Sequence, residues 1–481
     1  MKAEEYVEHD ATALAERVRS REVKRSEVLA AAIEIAERRN PQINAICHAP
    51  FDEVMSQVKA RDAHAPSDAP FDGEPFLLKD LGAEYEGWPM RLGSRALAEN
   101  VCTYTDTLTE RYVDSGVSIF GRTTTPEFGL IGVTESVLYG DTRNPWNLDH
   151  TPGASSGGSA AAVAAGIAPF AHANDGGGSI RIPASCSGLV GMKPSRGRTP
   201  AGPVAAELVS GFGYQHVVAR TVRDCAGMLD ATAGPEVGDL YAAPPAAGPY
   251  VDEVGKDPGV LRVAFWTKYW QDDSPTDPEC AEAVEAAAKL LEGLGHRVEE
   301  KRPDVDFDEL AKAFGVQWGA LAAAGVERIL RAVPGIDPEA VFEPFTRELA
   351  EAGRTRSALE LTLARDTMFA GARTMGRFHE SYDLLVTTVL GTPPLRIGEW
   401  SRESARFLDD DSRANRFLLT SHLSNATGQP CMTLPLHMTK DGLPVGVMFT
   451  AAFGREDLLY RLAGQIEQAA PWIGRRPEVF G

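Results

Sequence analysis

Residues 151–185, TPGASSGGSAAAVAAGIAPFAHANDGGGSIRIPAS, contain two loops rich in glycine and serine on either side of one alanine-rich segment. That segment, residues 159–168, is small and apolar on every side, which predicts a buried helix with both loops packed against the core. Three glycines precede the serine of the second loop: Gly176, Gly177 and Gly178 before Ser179. A buried loop of this kind presents backbone N–H groups and a hydroxyl to an interior site, as an oxyanion hole with a nucleophile requires.

The flanking sequence alternates short apolar strands with helices. Residues 75–81 (PFLLKDL) predict a strand, residues 106–116 a helix and residues 117–125 (VSIFGRTTT) a second strand. A connection rich in proline, glycine and alanine at 233–255 is followed by another strand–helix–strand unit at 261–302. Such alternation predicts βαβ units and a largely parallel sheet. The expected fold class is therefore α/β, with a mixed sheet at the core and helices on both faces.

The two ends of the chain are predicted to be simpler. The first 45 residues predict two helices, the second capped by Ser26 and ended before Pro41. Near the C-terminus, an apolar strand at 382–390 is followed by two further strands and a final helix within 430–468.

Composition excludes several classes of protein. The 481 residues carry 48 Lys and Arg against 68 Asp and Glu, a net charge of −20, which disfavours binding to nucleic acid. Six scattered cysteines form no CxxC pair, and ten histidines show no metal-ligand spacing, so no metal or disulfide framework is expected. No apolar stretch is long enough for a membrane span, and the N-terminus shows no signal peptide. We expect a cytoplasmic protein that works as a monomer or homodimer.

Three motifs together resemble those of the amidase signature family. Residues 153–159, GASSGGS, correspond to its Gly-Gly-Ser-Ser-Gly-Gly-Ser loop, and residues 175–183, DGGGSIRIP, to its Asp-x-Gly-Gly-Ser-Ile-Arg-x-Pro run. Ser155 and Ser179 stand at the family's spacing for its two catalytic serines. The family's lysine, in a Lys-Asp pair after an apolar strand, corresponds to Lys79.

The resemblance implies a mechanism with three residues. Ser179 would be the nucleophile, Ser155 the bridging serine after a cis peptide bond, and Lys79 the general base. Lysine can take a proton only when neutral, which burial favours, and the preceding residues 76–78 (FLL) make burial plausible. The N–H groups of residues 176–179 would stabilise the oxyanion. No cofactor is implied.

Three further residues are expected to support the site. Asp175 and Arg181 are predicted to brace the second loop as an ion pair, and Ser156 to cap the alanine-rich helix. The residues taken one at a time have alternative interpretations: Lys79 as a surface charge, Ser155 as a helix cap and Ser179 as a turn cap. The joint match favours catalysis.

The resemblance also implies a layout for the chain. We expect one domain, 1–481, with N-terminal helices at 1–70, a catalytic core at 70–225 and a variable substrate-pocket region at 305–420. The sequence departs from the family pattern at Ala154, where the family has glycine, and at Met448, where it has glutamine. Aromatic candidates for the pocket are Phe212, Tyr214, Phe314 and Trp318.

The substrate is expected to be a small amide or carbamate. Residues 141–148, 171–185, 454–459 and 471–477 look like the branch of the family that hydrolyses cyclic nylon oligomers and cleaves urethanes. Ester and carbamate carbonyls would use the same machinery. Two alternatives remain: an amidotransferase A-type subunit that releases ammonia from glutamine, which Ile182 disfavours because that subunit has glutamine there, and a catalytically silent scaffold.

Overall fold

The computed structural model describes residues 1–400, 402, 416–418 and 421–481. Within these ranges the strands are β1 Ile46–His48, β2 Pro75–Lys79, β3 Ser118–Thr123, β4 Glu135–Ser136, β5 Gly140–Asp141, β6 Phe170–Asp175, β7 Val190–Lys193, β8 Tyr214–Ala219, β9 Arg262–Trp266, β10 Arg297–Glu300, β11 Leu384–Thr388, β12 Cys431–Met438 and β13 Pro444–Ala451. Part of the expected 305–420 variable region, residues 401, 403–415 and 419–420, lies outside the described residues.

Helices surround these strands. In the described ranges they are α1 Ala3–Tyr6, α2 Ala11–Arg19, α3 Arg25–Ile43, α4 Phe51–Arg61, α5 Thr107–Asp114, α6 Gly157–Ala164, α7 Arg181–Ser187, α8 Val222–Thr232, α9 Pro278–Gly293, α10 Phe307–Ala332, α11 Pro338–Val341, α12 Pro344–Arg354, α13 Ala358–Ser381, α14 Ser421–Thr427 and α15 Glu456–Ala469.

One sheet contains all the strands listed above except the β4–β5 pair. Its order is β1-β3-β2-β6-β8-β7-β12-β13-β11-β9-β10. The predicted units β2–α5–β3 and β9–α9–β10 are confirmed, and each has parallel strands. Between them, however, every pair from β6 to β11 is antiparallel. The predicted α/β class with a mixed sheet is confirmed, whereas the largely parallel pairing was wrong, because strands such as β12 and β13 are joined by a short turn that forces antiparallel pairing.

Helices cover both faces of the sheet, as predicted. Side chains alternate along β2: Phe76 and Leu78 join the cluster that includes residues of α5, α8, α9 and α15, whereas Leu77 joins the cluster with α3, α4 and α6. This alternation is the period-2 geometry of a strand buried on both sides. The alanine-rich helix α6 is buried along its whole length, as its composition predicts.

The N-terminal prediction was wrong in detail. Three helices occupy the first 45 residues, and α3 begins after Lys24, whose N–H donates to the Glu27 carboxylate at 2.8 Å, so Ser26 is not the cap. The helix also continues through Pro41 to the fully buried Ile43. A proline this near the end removes one hydrogen bond, and burial of the last apolar residue outweighs that loss. Among the described residues, no helix combines the length and apolarity needed to cross a bilayer.

Candidate active site

The topology of the sheet brings the sequence motifs together. Strands β2 and β6 are parallel neighbours, with Leu77 opposite Ala171, so their carboxyl ends meet at one edge. Lys79 ends β2, and Asp175 ends β6. The two glycine- and serine-rich loops lead into α6 and α7 at this edge. Residues more than 70 positions apart therefore surround one point.

Lys79 is fully buried, and its amine contacts two polar groups. Nζ lies 2.6 Å from Ser155 Oγ and 2.6 Å from Asn174 Oδ1. Burial lowers the pKa of Lys79 well below its ordinary value, while the negative charge of Asp175 acts weakly in the opposite direction. An amine shifted in this way is neutral over a wider pH range, so it can accept a proton.

Ser155 lies between the lysine and the interior space. The peptide bond between Ala154 and Ser155 is cis, as the resemblance implied. The replacement of the family's glycine by Ala154 therefore does not change this bond. The carbonyl of Ser155 accepts a hydrogen bond from Thr125 Oγ1 at 2.9 Å. Gly129, at φ +68°, packs so closely that a Cβ there would lie 2.9 Å from Ser155 Oγ. The serine hydroxyl is thus held between a lysine and a glycine.

Ser155 and Ser179 line the same cavity, which has a volume of about 240 Å³. Ser179 precedes α7 and is 9% exposed. Gly176 also lines the cavity, together with Asn174. The structure thus brings both serines and part of the second loop to one cavity, with Lys79 in contact with Ser155 behind its wall.

The second loop is braced as predicted. Arg181 Nε lies 2.9 Å from Asp175 Oδ2, and both side chains are fully buried. Burial alone would raise the pKa of Asp175, but the charge and hydrogen bonds of Arg181 lower it to about 2. Asp175 also accepts the N–H of Gly178 at 2.7 Å and that of Ile180 at 3.1 Å. The carboxylate therefore fixes the shape of the loop.

Ser156 has a different role from the predicted one. It stands at the N-cap position of α6, but its side chain makes no cap hydrogen bond there. Instead its hydroxyl accepts the Asn174 N–H at 3.3 Å and donates to the Asn174 carbonyl at 3.2 Å. The serine therefore joins the first loop to the end of β6.

The aromatic candidates divide into two pairs. Tyr214 and Trp318 line the cavity. Phe314 stacks behind Trp318, with ring centroids 5.6 Å apart, and Phe212 packs in the adjacent core. Phe212 and Phe314 support the wall from behind, so two of the four candidates line the cavity and two belong to the core.

The cavity wall contains acidic side chains. Glu84 and Asp106 line it, and burial, followed by the hydrogen bond to Glu84, raises the pKa of Asp106 to about 7. Among the described lining residues there is no Lys, Arg or His. Such a wall favours neutral or amine-bearing ligands over carboxylates.

Sequence reasoning missed two residues that hold the site. Asn174 accepts from Lys79, and its place directly before Asp175 at a strand end was the only local signal. Ser421 Oγ donates to the carbonyl of Gly177 at 2.6 Å from far along the chain, and its sequence context carries no signal. Met448, the second departure from the family pattern, places its sulfur 3.5 Å from Arg181 Nη1.

A separate group of side chains could hold a cation, although no metal spacing was visible in the sequence. Glu279, Glu282 and His437 bring one ligand atom each within 4.8 Å of one another. His437 Nε2 already contacts Glu279 at 2.8 Å. None of the three lines the cavity.

Comparison with known proteins gives consistent results. The Amidase family pattern matches residues 27–460. A 6-aminohexanoate-cyclic-dimer hydrolase of Paenarthrobacter ureafaciens is 37% identical, over 98% of this chain and 97% of that protein. A solved structure of 6-aminohexanoate cyclic dimer hydrolase complexed with substrate has a TM-score of 0.92 at 35% identity, covering 99% and 100% of the two chains. A bacterial aryl acylamidase structure has a TM-score of 0.88 at 25% identity, covering 97% and 99%.

Proposed function

Because this chain belongs to the amidase signature family, we propose that it hydrolyses neutral carboxamides through Lys79, Ser155 and Ser179. The observation that carries this proposal is the 2.6 Å contact between Lys79 Nζ and Ser155 Oγ, beneath a cavity that Ser179 also lines. A serine hydroxyl needs a base to become a nucleophile, and a buried neutral lysine supplies one.

The proposed reaction has two halves. Ser179 Oγ attacks the substrate carbonyl carbon while its proton passes to Ser155 Oγ, and the proton of Ser155 passes to neutral Lys79. The same route then returns this proton to the leaving nitrogen as the C–N bond breaks, and an acyl-enzyme on Ser179 remains. Water attacks this ester in the second half, and the carboxylic acid leaves.

Backbone N–H groups of the second loop are proposed to stabilise the oxyanion. The N–H of Gly178 donates to Asp175, so it is committed within the loop. Of the N–H groups of residues 176–179, the proposed oxyanion donors are therefore those of Gly176, Gly177 and Ser179. Donors fixed in a braced loop need no rearrangement as charge develops on the oxygen, which is what lowers the barrier.

The cavity supports a neutral substrate. Tyr214 and Trp318 offer aromatic surface, and Glu84 and Asp106 disfavour a carboxylate. Glutamine, the ammonia source of the amidotransferase alternative, carries a carboxylate that would meet no cationic side chain among the described lining residues. Cyclic or linear oligoamides and aryl amides fit better. Carbamates and esters belong to the same proposal, because the oxyanion donors contact the carbonyl oxygen rather than the leaving group.

The test is a panel of substrates: acetanilide, a primary aliphatic amide, 6-aminohexanoate cyclic dimer, a phenyl carbamate and glutamine. We expect turnover of at least one neutral amide, with kcat reduced about 10⁴-fold or more in Ser179→Ala. Ser155→Ala should lose about 10²–10⁴-fold, since a proton carrier is removed. Ser156→Ala is the matched control and should lose far less.

Several results would contradict the proposal. Full activity in Ser179→Ala would exclude that nucleophile. Turnover of glutamine alone would favour the amidotransferase subunit, and inactivity on the whole panel would favour a silent scaffold.

A further inference from the structure

Gln215 is a buried side chain in the cavity wall that the proposed chemistry does not use. It belongs to β8 and lies opposite Asn174 of β6 in the antiparallel register. Asn174 in turn contacts the amine of Lys79. Gln215 is 4% exposed, and the exposed part faces the cavity that Ser155 and Ser179 also line.

The orientation of the Gln215 amide follows from a chain of hydrogen bonds. The backbone N–H of Lys79 donates to His172 Nδ1 at 3.2 Å, so Nδ1 must be the acceptor nitrogen of the ring. Burial lowers the pKa of His172 to about 3, and the neutral ring therefore carries its proton on Nε2. That proton is donated to Gln215 Oε1 at 3.1 Å.

The other end of the amide is then a free donor. With Oε1 held by His172, Nε2 is the remaining polar atom, and it makes no hydrogen bond to any described residue. Gly82 closes the Oε1 side, because a Cβ there would lie 2.8 Å from that oxygen. An amide NH₂ group in a largely apolar pocket must bond to something that enters, or its hydrogen bond to water is lost without replacement.

We propose that Gln215 Nε2 is a specificity-determining donor for a second carbonyl of the substrate, separate from the scissile one. This inference rests on the proposed amidase function and names its substrate class: amides with a second acceptor oxygen, such as oligoamides and cyclic diamides. The scissile oxygen is assigned to the second loop, so the Gln215 donor serves another oxygen. A purely aliphatic monoamide would displace water from Nε2 and offer nothing in return.

The same arrangement occurs once more, away from the cavity, and provides a matched control. Leu261 N–H donates to His296 Nδ1 at 3.2 Å, and His296 Nε2 contacts Gln465 Oε1 at 2.9 Å. Gln465 does not line the cavity. Substitution of either glutamine removes an equivalent histidine contact, but only Gln215 can contact a ligand in the cavity.

The experiment compares two substrates, 6-aminohexanoate cyclic dimer, which has two amides, and N-hexylhexanamide, which has one. The measured quantity is the ratio of kcat/KM for the diamide to that for the monoamide. We expect Gln215→Met to lower this ratio roughly 3- to 10-fold, the worth of one neutral hydrogen bond. Gln215→Glu keeps an oxygen for His172 but replaces the donor with an acceptor, and it should lower the ratio further. Gln465→Met should leave the ratio unchanged.

Binding separates this inference from the proposed chemistry. Calorimetry with Ser179→Ala and the cyclic dimer should give a Kd that rises roughly 3- to 10-fold when Gln215→Met is added. Weaker binding by the double variant than by Ser179→Ala, without any amide turnover by the wild type, would support the role of Gln215 and overturn the proposed hydrolase activity. If the wild type turns over amides but Gln215→Met loses kcat/KM equally on both substrates, or changes neither the ratio nor the Kd, the role of Gln215 is overturned and the hydrolase activity stands.

Discussion

Lys79 and Lys193 are two buried lysines that end strands β2 and β7 of the same sheet, yet among the described residues only Lys79 contacts a serine. Both are fully buried, and burial lowers the pKa of each, that of Lys193 to about 7. Lys79 contacts Ser155 and Asn174. Lys193 donates to the Pro194 carbonyl at 2.9 Å and lies 3.6 Å from the ring centroid of Tyr214.

The difference teaches that burial alone does not make a base. A low pKa gives an amine that is neutral near physiological pH, and both lysines have that property to some degree. The proton must also have a route, and only Lys79 contacts a hydroxyl that lines the cavity. Lys193 lies one layer behind the wall, under Tyr214, where its contacts are structural.

The largest expected effect separates the two lysines directly. Lys79→Met should lower kcat/KM for an amide about 10²–10⁴-fold, because general-base catalysis is lost. Lys193→Met, a change of the same size and chemistry, should lower it by less than about tenfold, since it alters only the support of Tyr214. Steady-state kinetics of both variants, with circular dichroism as a check on folding, measures this. Equal losses would remove the distinction.

The pH profile sharpens the same comparison. Protonated Lys79 cannot accept a proton, so kcat/KM should fall as pH falls below its pKa, by about tenfold per pH unit. Lys193, with a pKa of about 7, could produce a limb in the same direction if its charge mattered. We expect the acidic limb to be identical in wild type and Lys193→Met. If the acidic limb of the profile disappeared in Lys193→Met, the titrating group would be Lys193, and the account would be contradicted.

The smallest effect concerns stability. The folded-state pKa of Lys193 is about 7 and the ordinary value is 10.5, so between these values the unfolded chain binds more protons and stability rises with pH. Lys193→Met removes this penalty. Its Tm should exceed that of the wild type by up to about 5 °C at pH 7 or below, and the gap should narrow toward pH 10.5. Thermal melts across this range test the sign, and a variant that melts lower throughout would contradict it.

The sequence predicted one of these lysines and could not predict the other. Lys79 was identified because it completes a resemblance with Ser155 and Ser179, and the apolar residues 76–78 before it were only a secondary signal of its burial. Lys193 ends an equally ordinary strand, and its burial depends on Tyr214 and on strand pairing. Local composition did predict the buried helix α6 and the Asp175–Arg181 brace, since both depend on short segments.

Long-range contacts are what the sequence could not supply. Gln215 faces Asn174 only because β6 and β8 pair antiparallel, in a sheet that the alternating pattern predicted to be largely parallel. Ser421 reaches Gly177 across more than 200 residues. Tyr214 lines the cavity and Phe212 does not. Only the fold shows this difference, because both are buried aromatic residues in one short segment.

The central claim is that Ser179 is the nucleophile and Lys79 its distant base, and covalent labelling tests it most directly. The enzyme is treated with an alkyl fluorophosphonate, which reacts with activated serines, and the adduct is located by peptide mass spectrometry. The account predicts one adduct, on Ser179, absent in Ser179→Ala, formed much more slowly in Lys79→Met and at an almost unchanged rate in Lys193→Met. An adduct on another serine, or equally fast labelling of Lys79→Met, would contradict it.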